Sequence, residues 1–216
     1  MRLAILFSGQ GGQRPEHWQQ IAASAAGDFR AALLACLPGL ADTSCPEPET
    51  LARNQVAQPL IFAQQMLLWT ALQPRLPRPV CVAGYSLGEL AACCVAGVFD
   101  PLTGIALAAE RARLMDEAAG GGMLAVLGLD EARVVGIAAA HGLAIAIRNA
   151  PRHVVLAGPA EGLALAATAL AAAGASRLVP LAVRTPSHTP LLAAAAAAFR
   201  QRFAGLPERR LYFPVL

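Results

Sequence analysis

A Gly-x-Ser-x-Gly turn constrains the fold of this 216-residue chain more than any other feature. Residues 78–83 are mostly apolar and predict a buried strand, and residues 89–96 have the composition of a helix. Between them, glycines flank Ser86 on both sides. Because glycine has no Cβ, the backbone can turn tightly there and expose the serine at a helix N-terminus. The pattern predicts a nucleophile elbow that carries Ser86.

Composition excludes several classes of protein. The chain is 56% hydrophobic and 14% charged, which is typical of a globular protein with a large core. Its net charge of +3 comes from arginines without interleaved aromatic residues, so we expect no nucleic-acid partner. The five cysteines lack metal-ligand spacing and indicate a reducing, cytoplasmic location. The apolar N-terminus is too short for a signal peptide, and the alanine-rich stretches are too short for a membrane span.

The first half of the chain alternates between strand-like and helix-like segments. Residues 3–7 predict a first strand, residues 18–37 a helical region, and residues 54–72 and 101–115 two further helices. Such alternation is typical of a parallel α/β sheet. A helix at 190–203 and a last strand at 211–215 return the chain to this core. Since the chain stops there, we expect the C-terminal part of the core to be truncated.

A different pattern follows the glycine triplet at 120–122. Strands are predicted at 123–129, 143–147, 153–157 and 177–183, with helices at 130–141 and 159–173, the first capped by Asp130. This β-α-β-β-α-β order is the ferredoxin-like signature. The sequence therefore predicts a parallel-sheet core, residues 1–121 and 186–216, with a ferredoxin-like small subdomain inserted at residues 122–185.

A serine hydroxyl needs a base to become a nucleophile, and four histidines are candidates. His17, His141 and His153 lie in a polar loop, at a helix end and at the start of a strand. His188 lies in the proline-bounded turn 185–190, at the junction of the two predicted domains, where a cleft would form. This position at the junction favours His188 as the base.

Five motifs occur in order along the chain: residues 7–13 (FSGQGGQ), 84–89 (GYSLGE), 111–115 (RARLM), 149–151 (NAP) and 186–188 (PSH). As a set they resemble the malonyl-CoA:acyl carrier protein transacylase family, the acyltransferases of fatty-acid and polyketide synthesis. The resemblance covers essentially the whole chain. It implies an α/β-hydrolase-like core with a ferredoxin-like insert, which agrees with the patterns above.

The resemblance also implies roles for individual residues. Ser86 matches the acylated nucleophile and His188 its base, and the backbone N–H groups of Gln10 and Leu87 match the oxyanion hole. Arg111 matches the arginine that holds the free carboxylate of a malonyl group, a task that suits a guanidinium. Arg113 points to a different helix face and is expected to be solvated. Two polar residues match positions near the substrate: Gln58 and Asn149.

The implied reaction is a two-step acyl transfer. Malonyl-CoA acylates the serine, and the phosphopantetheine-type thiol of an acyl carrier protein then takes the malonyl group. No metal or permanently bound cofactor is expected. The continuation of the first loop, Arg14-Pro15, looks more like the transacylase (epsilon) subunit of malonate decarboxylase, which loads its own carrier subunit. Both kinds of carrier remain candidate acceptors.

Other features depart from the family pattern and keep two other classes open. Tyr85 precedes the nucleophile where the family usually has histidine. The family often orients its histidine through a backbone carbonyl that follows the last strand, and we expect this chain to lack that support for His188. The elbow alone would serve a serine esterase or thioesterase, although only Glu208 follows His188 as an acidic third member. A non-catalytic docking module is the remaining alternative.

Overall fold

The structure is a computed structural model, and it describes residues 2–24, 27–37, 45–118 and 120–216. The chain divides into two compact units. The first comprises Met1–Arg113 with Gln201–Leu216, and the second comprises Leu114–Arg200. The small-subdomain limits predicted from the sequence, 122 and 185, lie inside the second unit and remain a prediction.

The first unit is built on a parallel pair of strands. Strand β1 (Ala4–Phe7) pairs with β2 (Cys81–Gly84), with Phe7 opposite Gly84. Helix α5 (Gly88–Val95) packs on both strands. The other helices that begin in this unit are α1 (Pro15–Ala22), α2 (Gly27–Ala35), α3 (Pro48–Leu51), α4 (Asn54–Leu72) and α6 (Pro101–Glu117).

The second unit has the predicted ferredoxin-like order. Its four-stranded antiparallel sheet runs β4-β5-β3-β6, and its elements are β3 (Gly122–Leu127), α7 (Glu131–Ala140), β4 (Ala144–Ala150), β5 (His153–Gly158), α8 (Ala160–Ala172) and β6 (Arg177–Pro180). Helix α9 (Ala193–Gln201) follows. The sheet buries an aliphatic cluster that includes Val134, Leu156 and Leu170. The predicted α/β fold class is confirmed.

Three local predictions need correction. The helical region predicted at 18–37 is two helices, α1 and α2, and it starts earlier because Pro15 occupies the first helical turn. The strand predicted at 211–215 is reduced to one parallel bridge between Val215 and Val82. Asp130 occupies the cap position of α7, but its side chain makes no capping hydrogen bond. Its carboxylate lies 3.4 Å from Nε of Arg152 instead.

Helix α4 forms the centre of the first unit and contacts α1, α2, α3 and α5. Its side chains are buried almost continuously from Val56 to Ala63, and Phe62 packs so closely on Gly104 that no Cβ would fit there. Among the residues that the structure describes, no helix combines the length and the apolar character needed to cross a membrane.

Candidate active site

Ser86 lies in a strained turn between β2 and α5. Its φ is +55°, a left-handed conformation that an L-residue rarely adopts. The turn continues the strand ladder, since the Tyr85 N–H donates to the Phe7 carbonyl at 2.9 Å. Strain of this kind places a serine hydroxyl above a sheet and at the start of a helix. The nucleophile elbow predicted from the sequence thus has the expected backbone geometry.

The glycines around Ser86 make this turn possible. A Cβ on Gly84 would overlap the backbone of Gly88, and a Cβ on Gly88 would overlap the carbonyl of Phe7. The loop after β1 also runs beside the elbow. A Cβ on Gly9 would lie only 2.7 Å from the Tyr85 carbonyl oxygen. Strand, loop and helix therefore pack more tightly here than side chains would allow.

Arg111, on α6, lies beside the Ser86 hydroxyl. Its Nη2 donates to Ser86 Oγ at 3.3 Å, and its Nη1 donates to Gln58 Oε1 at 2.7 Å. Gln58 is completely buried on α4. Burial lowers the pKa of the Arg111 guanidinium, and the charge of Glu89 opposes that shift. An arginine keeps its charge under such conditions, so a cation is held next to the serine.

Arg113 has the surface position expected for it. Its side chain is 44% exposed and its Nε donates to Glu110 Oε2 at 2.8 Å. Glu110 also accepts from Arg202 Nη2 at 2.6 Å. The hydrogen bonds from Arg113 and Arg202 lower the pKa of Glu110 to about 2. Of the two neighbouring arginines, only Arg111 faces Ser86, as the helical spacing predicts.

The two residues that the resemblance assigns to an oxyanion hole both lie in this unit, and that role stays a prediction. Leu87 is fully buried and caps α5, where the first N–H groups of a helix lack intrahelical acceptors. Gln10 lies in the loop after β1, and its Nε2 donates to Asn54 Oδ1 at 2.9 Å. Gln65 Nε2 donates to the carbonyl oxygen of Ser8 at 2.8 Å. Sequence reasoning did not single out Asn54 or Gln65.

His188 and Asn149 lie in the second unit. His188 has a φ of +60° and is exposed on its turn, while the neighbouring Thr189 is buried and donates to the Pro186 carbonyl at 2.7 Å. Asn149, on β4, is exposed, and its Nδ2 lies 3.4 Å from His153 Nε2. The positive φ gives His188 a strained backbone, as at Ser86. Its role as the base, and that of Asn149 near the substrate, stay predictions.

Residues 5–213 match the model of the acyl transferase domain. The chain belongs to the acyl transferase domain family. The match covers nearly the whole chain, including both units, so the resemblance seen in the sequence motifs is confirmed.

Individual relatives of this acyl transferase domain agree with the family assignment. It is 36% identical over 156 residues to the malonyl CoA-acyl carrier protein transacylase of Salmonella typhimurium, covering 68% of this chain and 50% of that protein. It is 35% identical over 206 residues to the polyketide biosynthesis protein ThaF of Burkholderia thailandensis, covering 93% of this chain and 18% of ThaF. The chain thus spans half of one curated relative and less than a fifth of the other.

Solved structures match this acyl transferase domain over its full length. One is from the complex of a type II polyketide synthase acyl-carrier protein with its malonyl-transacylase. It has 31% sequence identity and a TM-score of 0.83, and the match covers 100% of this chain and 74% of that one. The fold of the acyl transferase domain is therefore shared along the entire chain described above.

Proposed function

We propose that this protein transfers a malonyl group from malonyl-CoA, through an ester on Ser86, to the phosphopantetheine-type thiol of an acyl carrier protein. The observation that carries the proposal is the position of Arg111, whose guanidinium contacts both Ser86 Oγ and Gln58. A serine that received a neutral acyl group would need no cation beside it. A malonyl group carries a free carboxylate, which a guanidinium binds through two parallel hydrogen bonds.

In the first half-reaction, Ser86 Oγ attacks the thioester carbon of malonyl-CoA. His188 accepts the hydroxyl proton, and the negative charge on the carbonyl oxygen is stabilised by the backbone N–H groups of Gln10 and Leu87. The carbon–sulfur bond then breaks, and the CoA sulfur takes the proton from His188. Arg111 holds the malonyl carboxylate throughout. The product is a malonyl ester of Ser86 and free CoA.

The second half-reaction reverses these steps with a different thiol. His188 removes the proton from the carrier thiol, the sulfur attacks the ester carbon, and Ser86 leaves with the proton. Support for a carrier protein as the acceptor comes from the relatives, since one matching structure pairs a malonyl-transacylase with an acyl-carrier protein. No step needs a metal or a permanently bound cofactor.

The identity of the carrier can be tested by incubating the protein with malonyl-CoA and each of several carrier proteins. We expect malonyl-CoA and the purified protein to convert a holo acyl carrier protein to its malonyl form, with one CoA released for each malonyl transferred. CoA release at the same rate without any carrier would instead indicate a thioesterase. Carrier binding without transfer, unchanged in Ser86→Ala, would indicate a docking module.

The carrier subunit of malonate decarboxylase is a second candidate acceptor. The observation in its favour is the Arg14-Pro15 continuation of the first loop. In the structure Pro15 begins α1, and the Arg14 carbonyl accepts from the His17 N–H at 3.1 Å. Faster transfer to that subunit than to acyl carrier proteins of fatty-acid or polyketide synthesis would assign this carrier.

A further inference from the structure

Helix α4 carries three buried amide side chains on one face. Asn54, Gln58 and Gln65 are 5%, 0% and 7% exposed, in a helix whose other buried residues are apolar. Their spacing of four and seven residues places them within about 40° of one another around a helix with 3.6 residues per turn. Burying an amide costs free energy unless it is hydrogen-bonded. Each of the three therefore needs a specific partner.

Partners of all three amides lie in the candidate site. Gln58 binds Arg111, as described above. Asn54 Oδ1 accepts from Gln10 Nε2 at 2.9 Å, across 44 residues of sequence. Gln65 Nε2 donates to the Ser8 carbonyl oxygen at 2.8 Å, and it lies 3.2 Å from Ser8 Oγ. Two of the three amides thus hold the loop that follows β1.

That loop is rich in glycine, and within it the Gly11 N–H donates to Gln13 Oε1 at 3.0 Å. Gly9, Gly11 and Gly12 have no side chains, and Gly11 has a φ of +121°, where L side chains are strained. Gly9 fits against the elbow only because it lacks a Cβ. Glycine is the most flexible residue, so the direction of the backbone N–H at Gln10 depends on the residues on either side of Gly9. Those residues, Ser8 and Gln10, are the ones bound by α4.

We infer that Asn54 and Gln65 are positioning residues, which hold the loop so that the Gln10 N–H faces the acyl oxygen on Ser86. The inference rests on the proposed function, because the amide acts on an acyl group. An oxyanion hole stabilises charge only when its donors are already aligned before the reaction. Gln65 Oε1 is buried with no partner among the described residues, so Gln65 is placed for its donor and not for its acceptor.

Single-turnover kinetics of Ser86 acylation separate positioning from folding. The rate constant reports alignment of the oxyanion hole, while the fraction of Ser86 finally acylated reports the fraction of folded protein. In Asn54→Leu and Gln65→Met, we expect the rate constant to fall about 10- to 100-fold at unchanged final acylation, a part of what loss of a whole oxyanion donor costs. Malonyl-CoA and acetyl-CoA should be affected by the same factor, since both present the same thioester carbonyl.

The matched control is Gln64→Met, one residue along the same helix, and it should keep the wild-type rate constant. Asn54→Asp keeps an acceptor for Gln10 and should retain most of the rate. Gln65→Glu loses the donor to Ser8 at the same size and should not. These two variants decide the matter if the apolar ones fail to fold.

The inference is overturned if Asn54→Leu and Gln65→Met acylate fully at rates within twofold of wild type, or if Gln64→Met is slowed as much as Gln65→Met. If Asn54→Asp and Gln65→Glu behave alike, the inference is also wrong. Failure of the proposed function would look different, because wild-type Ser86 would then either not be acylated or lose its acyl group to water and not to a carrier thiol.

Discussion

The guanidinium of Arg111 donates to the hydroxyl of Ser86, with 3.3 Å between Nη2 and Oγ, and its Nη1 donates to Gln58 Oε1. This relationship connects α6 to the elbow and places a fixed positive charge where an acyl group would be held. Malonyl specificity in the proposed reaction depends on it.

Replacing Arg111 should therefore remove the preference for malonyl. In Arg111→Ala, we expect kcat/KM for malonyl-CoA to fall about 100-fold or more, because a charge-assisted bidentate contact to the carboxylate is lost. The value for acetyl-CoA should change little. Arg111→Lys should not restore malonyl transfer, since an ammonium cannot make the same paired contact. Arg113→Ala, at an exposed position, is the control, and an equal loss there would contradict the assignment.

A substitution at Gln58 tests whether the Arg111 guanidinium binds the malonyl carboxylate without removing the arginine. Gln58→Glu keeps the side-chain size but places a carboxylate against Arg111, where it competes with that of the substrate. We expect KM for malonyl-CoA to rise about tenfold or more, with a smaller change for acetyl-CoA. Steady-state kinetics with both substrates provides the measurement. A parallel rise in both KM values would mean that Gln58 acts only through folding.

The elbow glycines should tolerate no side chain. Gly88→Ala would place a methyl group against the Phe7 carbonyl, and we expect the free energy of unfolding to fall by at least about 3 kcal/mol. Gly136 is exposed within α7, and a Cβ added there would meet no other atom within 4 Å. Gly136→Ala should raise stability by about 0.5–1 kcal/mol. Urea unfolding of both variants measures the contrast, and a mild effect at Gly88 would count against the packing described.

Much of the fold follows from local sequence patterns. The helix predicted at 54–72 is α4, and the strand and helix order of the second unit is the one predicted. Glycine placement around Ser86 predicted a tight turn, and the serine in that turn has a positive φ. These features depend on residues close in sequence, so periodicity and turn chemistry are enough to find them.

Other features depend on distant contacts and were missed. Asn54 and Gln65 are amide residues within a helical segment that is otherwise mostly apolar. These polar positions were the signal in the sequence that could have identified them as candidate site residues. Their partners are 44 and 57 residues away, which no local pattern reveals. The sequence prediction treated the region 18–37 as one helical region, whereas the structure has α1 and α2 there. The last predicted strand is reduced to one bridge, although its apolar residues favour a strand.

The ion pairs of Glu110 predict a pH dependence of stability. Hydrogen bonds from Arg113 and Arg202 lower the pKa of this carboxyl from 4.5 to about 2. Because the pKa is lower in the folded state, the stabilisation is present above about pH 4.5 and is lost as the pH falls towards 2. The difference in Tm between wild type and Glu110→Gln should shrink over that interval. The pairs are partly exposed, so we expect at most about 1 kcal/mol.

The arginine partners provide the control for this pH profile. In an Arg113→Ala/Arg202→Ala background, Glu110→Gln should leave Tm unchanged at every pH, because its partners are already absent. A Tm difference that persists undiminished at pH 2, or that survives in this background, would assign the effect to other groups.

The proposed reaction requires Ser86 to carry the malonyl group. Its most direct test is to mix the protein with isotopically labelled malonyl-CoA, quench the reaction with acid, and map the label by peptide mass spectrometry. We expect a malonyl ester on the peptide that contains Ser86. The ester should be absent from Ser86→Ala, weaker with acetyl-CoA and removed by a carrier thiol. No label on wild-type protein, label that persists in Ser86→Ala, or equal labelling by acetyl-CoA would contradict it.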